Sequence, residues 1–113
     1  MLAVALLAGC GGGSSSAQPA GSIKVTMTEF KFDPDTISAP SGKVVFFLVN
    51  GGSTSHDMVV RDSTGKRLVA SELVSAGDTS VLTIDSIAAG TYTYICAQPG
   101  HESSGMHGIL TVT

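Results

Sequence analysis

The sequence predicts an all-β domain, a Greek-key β-sandwich of seven to eight strands. Three observations carry that reading. Short apolar or alternating runs recur about every 8–12 positions, Gly, Pro, Asn and Asp clusters separate them, and no amphipathic helical period of useful length interrupts them. Strands this short and numerous, packed into roughly ninety residues, bury their apolar faces by forming two stacked sheets.

The elements follow in order. Residues 23–32 alternate, with Ile23, Val25 and Met27 against Lys24, Thr26 and Thr28, and stop at Asp33-Pro34-Asp35. Residues 36–39 form a brief strand closed by Pro40-Ser41-Gly42. Residues 44–49 are uniformly apolar, the pattern of a central strand covered on both faces, and Asn50-Gly51-Gly52 ends it. Residues 56–61 read as another strand. The stretch 63–78 is the least regular, and Leu68-Val69 and Leu73-Val74 fit either short strands or a single helical turn. Strands at 81–84 and 91–96 follow, divided by Ala88-Ala89-Gly90, and the last strand spans 107–112.

The chain of 113 residues carries a net charge of −3 with 13% charged residues and no basic run, so it lacks the electrostatic footprint of a nucleic-acid binder. Residues 1–10 are small and apolar and end in Leu7-Ala8-Gly9-Cys10, which resembles the lipobox of bacterial lipoproteins. That resemblance implies cleavage before Cys10 and lipid attachment to it. Residues 11–22, rich in Gly and Ser, are expected to be a flexible tether, and 23–113 the folded domain. A nine-residue apolar stretch is too short for a bilayer span, which needs about twenty; an ordinary signal peptide with an incidental Cys is the remaining alternative. No Lys or Arg precedes Cys10, and the stretch is short for a signal sequence, so a start upstream of Met1 is expected. The domain is thereby expected to work outside the cytosol, membrane-anchored, where an unpaired thiol such as Cys96 is an oxidation liability.

Cys96 is also where the chemistry concentrates. Cys96, His101 and Met106 are spaced Cys-x4-His-x4-Met, and His56 lies upstream in its own polar turn. Taken singly, Cys96 reads as a small buried hydrophobe, His101 as a loop histidine and Met106 as a core methionine. Together they are a thiolate, two imidazoles and a thioether, the donor set of a mononuclear blue-copper site with a trigonal His–Cys–His plane and a weak axial Met. Strand parity puts Tyr92, Tyr94 and Cys96 on one face; if the tyrosines face the core, Cys96 points inward at the end where loops gather. Pro99-Gly100 and Gly105 permit the tight turns that deliver His101 and Met106. His107, next to Met106 on a strand, faces the other way and is expected not to be a ligand. Glu102 reads as a solvated loop charge.

Tyr92-x-Tyr94-x-Cys96-x-x-Pro99-Gly100-His101-x4-Met106-x-Gly108 resembles the C-terminal copper loop of the cupredoxins, with gaps closest to the rusticyanin and auracyanin type. Residues 44–50, the Gly/Ser turn and His56-Asp57-Met58 resemble the strand and loop that supply that family's first histidine, and Phe30-Lys31-Phe32-Asp33-Pro34 resembles its opening. The resemblance implies one type 1 copper ion, His56, Cys96 and His101 as equatorial ligands, Met106 as axial ligand, and Tyr92 as a structural tyrosine corner. It implies single-electron transfer between redox proteins such as cytochromes, oxidases or reductases, with the His101 ring edge as the port. Asp57 departs from the pattern, standing where many members have Asn or Ser; its carboxylate can still accept backbone N–H bonds, and its charge favours Cu(II). No Cys-x3-Cys, His-Cys-His or nucleophile triad is present, so a monomeric, non-enzymatic carrier is expected. A copper-binding or delivery lipoprotein would use the same donors but hold a colourless, readily lost Cu(I). A third alternative is an adhesion or assembly module without copper, and the intact ligand quartet argues against it.

Overall fold

The computed structural model describes residues 17–113, which include nine strands and no helix. The lipid-attachment reading at Cys10 and most of the tether lie outside the described residues. The strands are β1 (Ile23–Thr28), β2 (Lys31–Asp33), β3 (Thr36–Ala39), β4 (Gly42–Asn50), β5 (Val59–Arg61), β6 (Arg67–Ala70), β7 (Thr79–Ile87), β8 (Gly90–Ile95) and β9 (His107–Val112). They form a four-stranded sheet in the order β2-β1-β4-β7 and a five-stranded sheet in the order β3-β9-β8-β5-β6. The chain changes sheet between β2 and β3, β3 and β4, β4 and β5, β6 and β7, and β7 and β8, so the architecture is an all-β sandwich. Two pairings are parallel, β1 with β4 and β3 with β9; the others are antiparallel.

Nine strands replace the seven to eight expected, and the differences have local causes. The single strand anticipated over 23–32 is a hairpin: Glu29 and Phe30 reverse the chain, with Phe30 at φ 63°, and Thr28 pairs with Lys31. The alternation shifts phase there, with apolar residues at 23, 25 and 27 before the turn and at 30 and 32 after it, and the polar Glu29 marks the break. The strand anticipated at 56–61 begins only at Val59. His56 instead makes an isolated bridge to Val74, its N–H donating to Val74 O at 3.0 Å and its carbonyl accepting from Val74 N–H at 2.8 Å. In the irregular 63–78 stretch, Arg67–Ala70 forms β6 and Leu73 stays outside any strand. The strand anticipated at 81–84 extends to Thr79–Ile87, because β4 supplies a ladder along nearly its whole length.

The core lies between the sheets and is assembled by alternation. Val25 and Met27 of β1, Val44, Phe46 and Leu48 of β4, and Leu82, Ile84 and Ile87 of β7 face Val60 of β5, Tyr94 of β8, and Leu110 and Val112 of β9. Each large apolar side chain buried there contributes about 1.5–3 kcal/mol. β4 is central in its sheet, but its second face is covered unevenly: Phe47 is buried while Val45 and Val49 are half-buried. Tyr94, fully buried, packs edge-on against Phe32 with ring centroids 5.1 Å apart and donates its hydroxyl to Pro34 O at 2.7 Å. Burial pushes its phenol well above the ordinary range. Opposite Tyr94 stands Gly108, where a Cβ would come within 2.3 Å of the ring. Tyr92, at the margin of the core, donates its hydroxyl to Ala88 O four residues upstream at 2.7 Å, the bond of a tyrosine corner.

Candidate metal centre

The end of the sandwich beyond β8 gathers three loops. Cys96 continues the inward face of β8 and is fully buried, as parity with Tyr94 requires. The chain then folds back on itself: His101 N–H donates to Gln98 O at 3.0 Å, Met106 N–H to His101 O at 3.1 Å, and Cys96 N–H to Met106 O at 3.1 Å. Gly100 at φ 79° and Gly105 at φ 113° take the left-handed backbone that these turns demand. The Cys96–Met106 segment is thus closed on itself by backbone bonds. Met106 is fully buried within the core cluster that also holds Cys96, and the exposed His107 turns away from it.

His56 reaches the same place from the other sheet connection. Asn50, at the end of β4 and 1% exposed, shapes its loop: Nδ2 donates to Thr54 O and to Val74 O, both at 2.8 Å, and Oδ1 accepts Gly52 N–H at 2.9 Å. Asp57 Oδ1 accepts Ala97 N–H at 2.8 Å and its Oδ2 accepts Gln98 Nε2 at 3.1 Å, which ties the His56 loop to the Cys96 loop. The carboxylate therefore fills the bridging role anticipated for it.

The result is a convergence of donors. Ligand atoms of His56, Cys96 and His101 all lie within 4.8 Å of one another. Nδ1 of His56 and Nδ1 of His101 are 3.2 Å apart, and Cys96 Sγ is 3.4 Å from His101 Nδ1 and 3.9 Å from His56 Nδ1. First-row metal bonds of about 2.0 Å to nitrogen and 2.3 Å to sulfur, set at 120°, place such atoms roughly 3.5–3.8 Å apart. The triangle, with sides of 3.2, 3.4 and 3.9 Å, lies within a few tenths of an ångström of those dimensions. Burial pushes the Cys96 thiol up and the His56 imidazolium down, so both resist charging without a compensating cation. A neutral imidazole is a ready ligand, and a thiolate here needs the positive charge that a metal brings. The residues fit copper.

Two neighbours escaped the reading of the sequence. Phe30, exposed, meets His101 edge-on with centroids 5.2 Å apart, and Glu29 Oε1 lies 3.4 Å from the buried Nε2 of His56. Both sit in the β1–β2 turn, whose position in sequence carries no signal that it reaches a site so far down the chain. Glu102, read as a solvated charge, pairs with Arg61 Nη2 at 2.7 Å and remains partly exposed.

A β-sandwich that holds two histidines and one buried cysteine in a triangle at its loop end defines a mononuclear copper protein. Residues 1–112 match the cupredoxin-like domain family, and the chain belongs to that family. It is 37% identical over 93 residues to plastocyanin of Dryopteris crassirhizoma, a match covering 74% of this chain and 88% of that protein. It is 44% identical over 50 residues to auracyanin-B of Chloroflexus aurantiacus, covering 44% of this chain but 21% of that protein's length. A solved structure of auracyanin B superposes with a TM-score of 0.75 at 25% identity, covering 90% of this chain and 95% of the other. Copper is the cofactor these findings support.

Proposed function

We propose that this protein is a type 1 blue-copper electron carrier in which His56, Cys96 and His101, with Met106 as a thioether donor, would hold the ion. The observation that carries the reading is the preformed triangle of two Nδ1 atoms and one Sγ, with separations of 3.2, 3.4 and 3.9 Å. When bound there, copper supplies a one-electron Cu(I)/Cu(II) couple. The chain's own residues make the couple fast by holding still. His56 is tied to Val74, Cys96 to Met106 and Met106 to His101 by backbone bonds, so the donors keep their places whichever charge they face. His101 is half-buried among exposed Pro99, Gly100 and Phe30, and its outer edge is the natural port for an electron during a weak, transient contact.

The partners this reading requires are redox proteins such as cytochromes, oxidases or reductases. The lipobox-like run ending at Cys10 supports an extracytoplasmic protein held at a membrane surface by a lipid, and a monomer suffices for the chemistry. No catalytic step is assigned: the protein accepts and passes single electrons.

Absorption and EPR spectra of the copper-loaded protein test the assignment. An intense visible thiolate-to-Cu(II) band that disappears in Cys96→Ser supports it. A colourless Cu(I) form that gives up its metal readily points instead to a copper-delivery protein. A spectrum unchanged by Cys96→Ser overturns the site.

A further inference from the structure

The turn between β1 and β2 has no part in the ligand set, yet its acidic residue is built into the centre. Oε1 of Glu29 accepts Ser53 N–H at 2.7 Å, Thr54 N–H at 2.9 Å and the Thr54 hydroxyl at 3.1 Å. Those residues belong to the loop that delivers His56. Gly52 makes room for the contact: a Cβ there would stand 2.5 Å from Glu29 Oε1 and 2.9 Å from Oε2. The carboxylate is thus clasped by the loop although its side chain remains 35% exposed.

On its far side lies the imidazole. His56 is fully buried, and its Nε2 has no hydrogen-bond partner in bonding geometry; Glu29 Oε1 faces it at 3.4 Å, an ion-pair separation slightly beyond hydrogen-bond length. The other ring nitrogen, Nδ1, is the one turned toward Cys96 and His101. An imidazole that ligates through one nitrogen is fixed in tautomer and orientation by what its other N–H meets. A buried N–H left unmet carries a desolvation penalty, so a carboxylate held beside it biases the proton to that nitrogen.

Resting on the blue-copper reading, we propose that Glu29 is a positioning residue of the metal centre, acting through His56. Its carboxylate keeps the ring proton on Nε2, leaves the Nδ1 lone pair aimed at Cys96 and His101, and latches the 51–55 loop in the same act. Its Oε1 accepts all three of those loop hydrogen bonds, the bonding of a carboxylate anion, which is acceptor-only. A negative charge against a ligand imidazole also favours the more positive state of the ion.

The test compares Glu29→Gln and Glu29→Ala with Asp85→Asn, which removes an equal charge from an exposed position on β7. In the copper-free full-length protein, ring nitrogen-15 spectra should show His56 protonated on Nε2, and Glu29→Ala should mix the tautomers. In the copper-loaded protein, Glu29→Gln should raise the midpoint potential more than Asp85→Asn does. Chelator should strip Glu29→Ala about ten times faster than the parent. A His56 tautomer indifferent to Glu29, or a Glu29→Gln potential that moves no further than that of Asp85→Asn, overturns the proposal. Should Glu29→Ala fail to fold, Glu29→Gln carries the potential measurement, and Glu29→Met, which likewise lacks an oxygen acceptor, carries the tautomer measurement. The copper-free spectra decide the role of Glu29 even if the parent protein forms no coloured copper complex, a result that would defeat the electron-carrier reading alone.

Discussion

Asp57 and Ala97, distant in sequence, are joined by a 2.8 Å bond from the Ala97 N–H to the Asp57 carboxylate. This one contact locks the loop of the first histidine to the strand end that carries the cysteine. It also places a formal negative charge against the centre, where the same geometry is available to a neutral amide. Asp57→Asn keeps an acceptor for Ala97 and is expected to retain copper while raising the midpoint potential, because Cu(II) loses more stabilisation than Cu(I). Asp57→Ala removes the tie and should speed copper loss about tenfold. Voltammetry and chelator kinetics read the two effects; a potential lowered by Asp57→Asn would refute the charge argument.

Met106 is proposed as the thioether donor because it is fully buried in the core cluster that also holds Cys96, in a segment closed by backbone bonds to Cys96 and His101. Met106→Gln replaces a soft thioether by a harder oxygen donor, which favours Cu(II). Copper should remain bound, with a lower potential and a changed EPR spectrum. An unaltered potential would remove Met106 from the coordination sphere and leave it a core methionine.

Asn50 holds the 51–55 turn in shape through its three hydrogen bonds with Thr54, Val74 and Gly52. Asn50→Ala removes all three bonds, the one to Val74 O being buried, a loss of about 1–3 kcal/mol. The denaturant midpoint of the copper-free protein should fall with an unchanged slope, and copper should dissociate faster because His56 is no longer preset.

Gly108 stands where any side chain would enter the Tyr94 ring. Gly108→Ala is expected to cost about 1–3 kcal/mol through overpacking, read as a lower thermal or denaturant midpoint. The copper spectrum of the surviving folded fraction should stay the same, since Gly108 bears on the core and not on the ligands.

Much of the centre was legible before any coordinates. The spacing of Cys96, His101 and Met106, the parity that turns Cys96 inward with Tyr94, and the glycines at 100 and 105 are all local properties, carried by alternation and by backbone freedom. The outward turn of His107 follows from the same periodicity, whereas the tyrosine corner at Tyr92 was implied by the family resemblance. What local pattern misread was extent and interruption. Strand β7 runs past its apolar stretch because β4 pairs with it, and β1 ends at Thr28, where the alternation shifts phase across Glu29 and Phe30. A ladder partner leaves no mark on the hydrophobic pattern, and the turn at φ 63° shows there only as a shift of phase.

The sequence by itself determined the donor types, their order and the all-β architecture, since composition and period two are properties of neighbouring residues. Only the tertiary structure decided which groups surround those donors. The turn at Glu29 and Phe30 touches His56 and His101 because β1 lies beside β4, a parallel pairing between segments far apart in the chain. Contacts of that kind arise from non-local strand pairing and from how the loops gather at one end of the sandwich, and no short window along the chain contains both partners. The candidate donors could be read in one dimension; the residues packed around them come together as a set only in three.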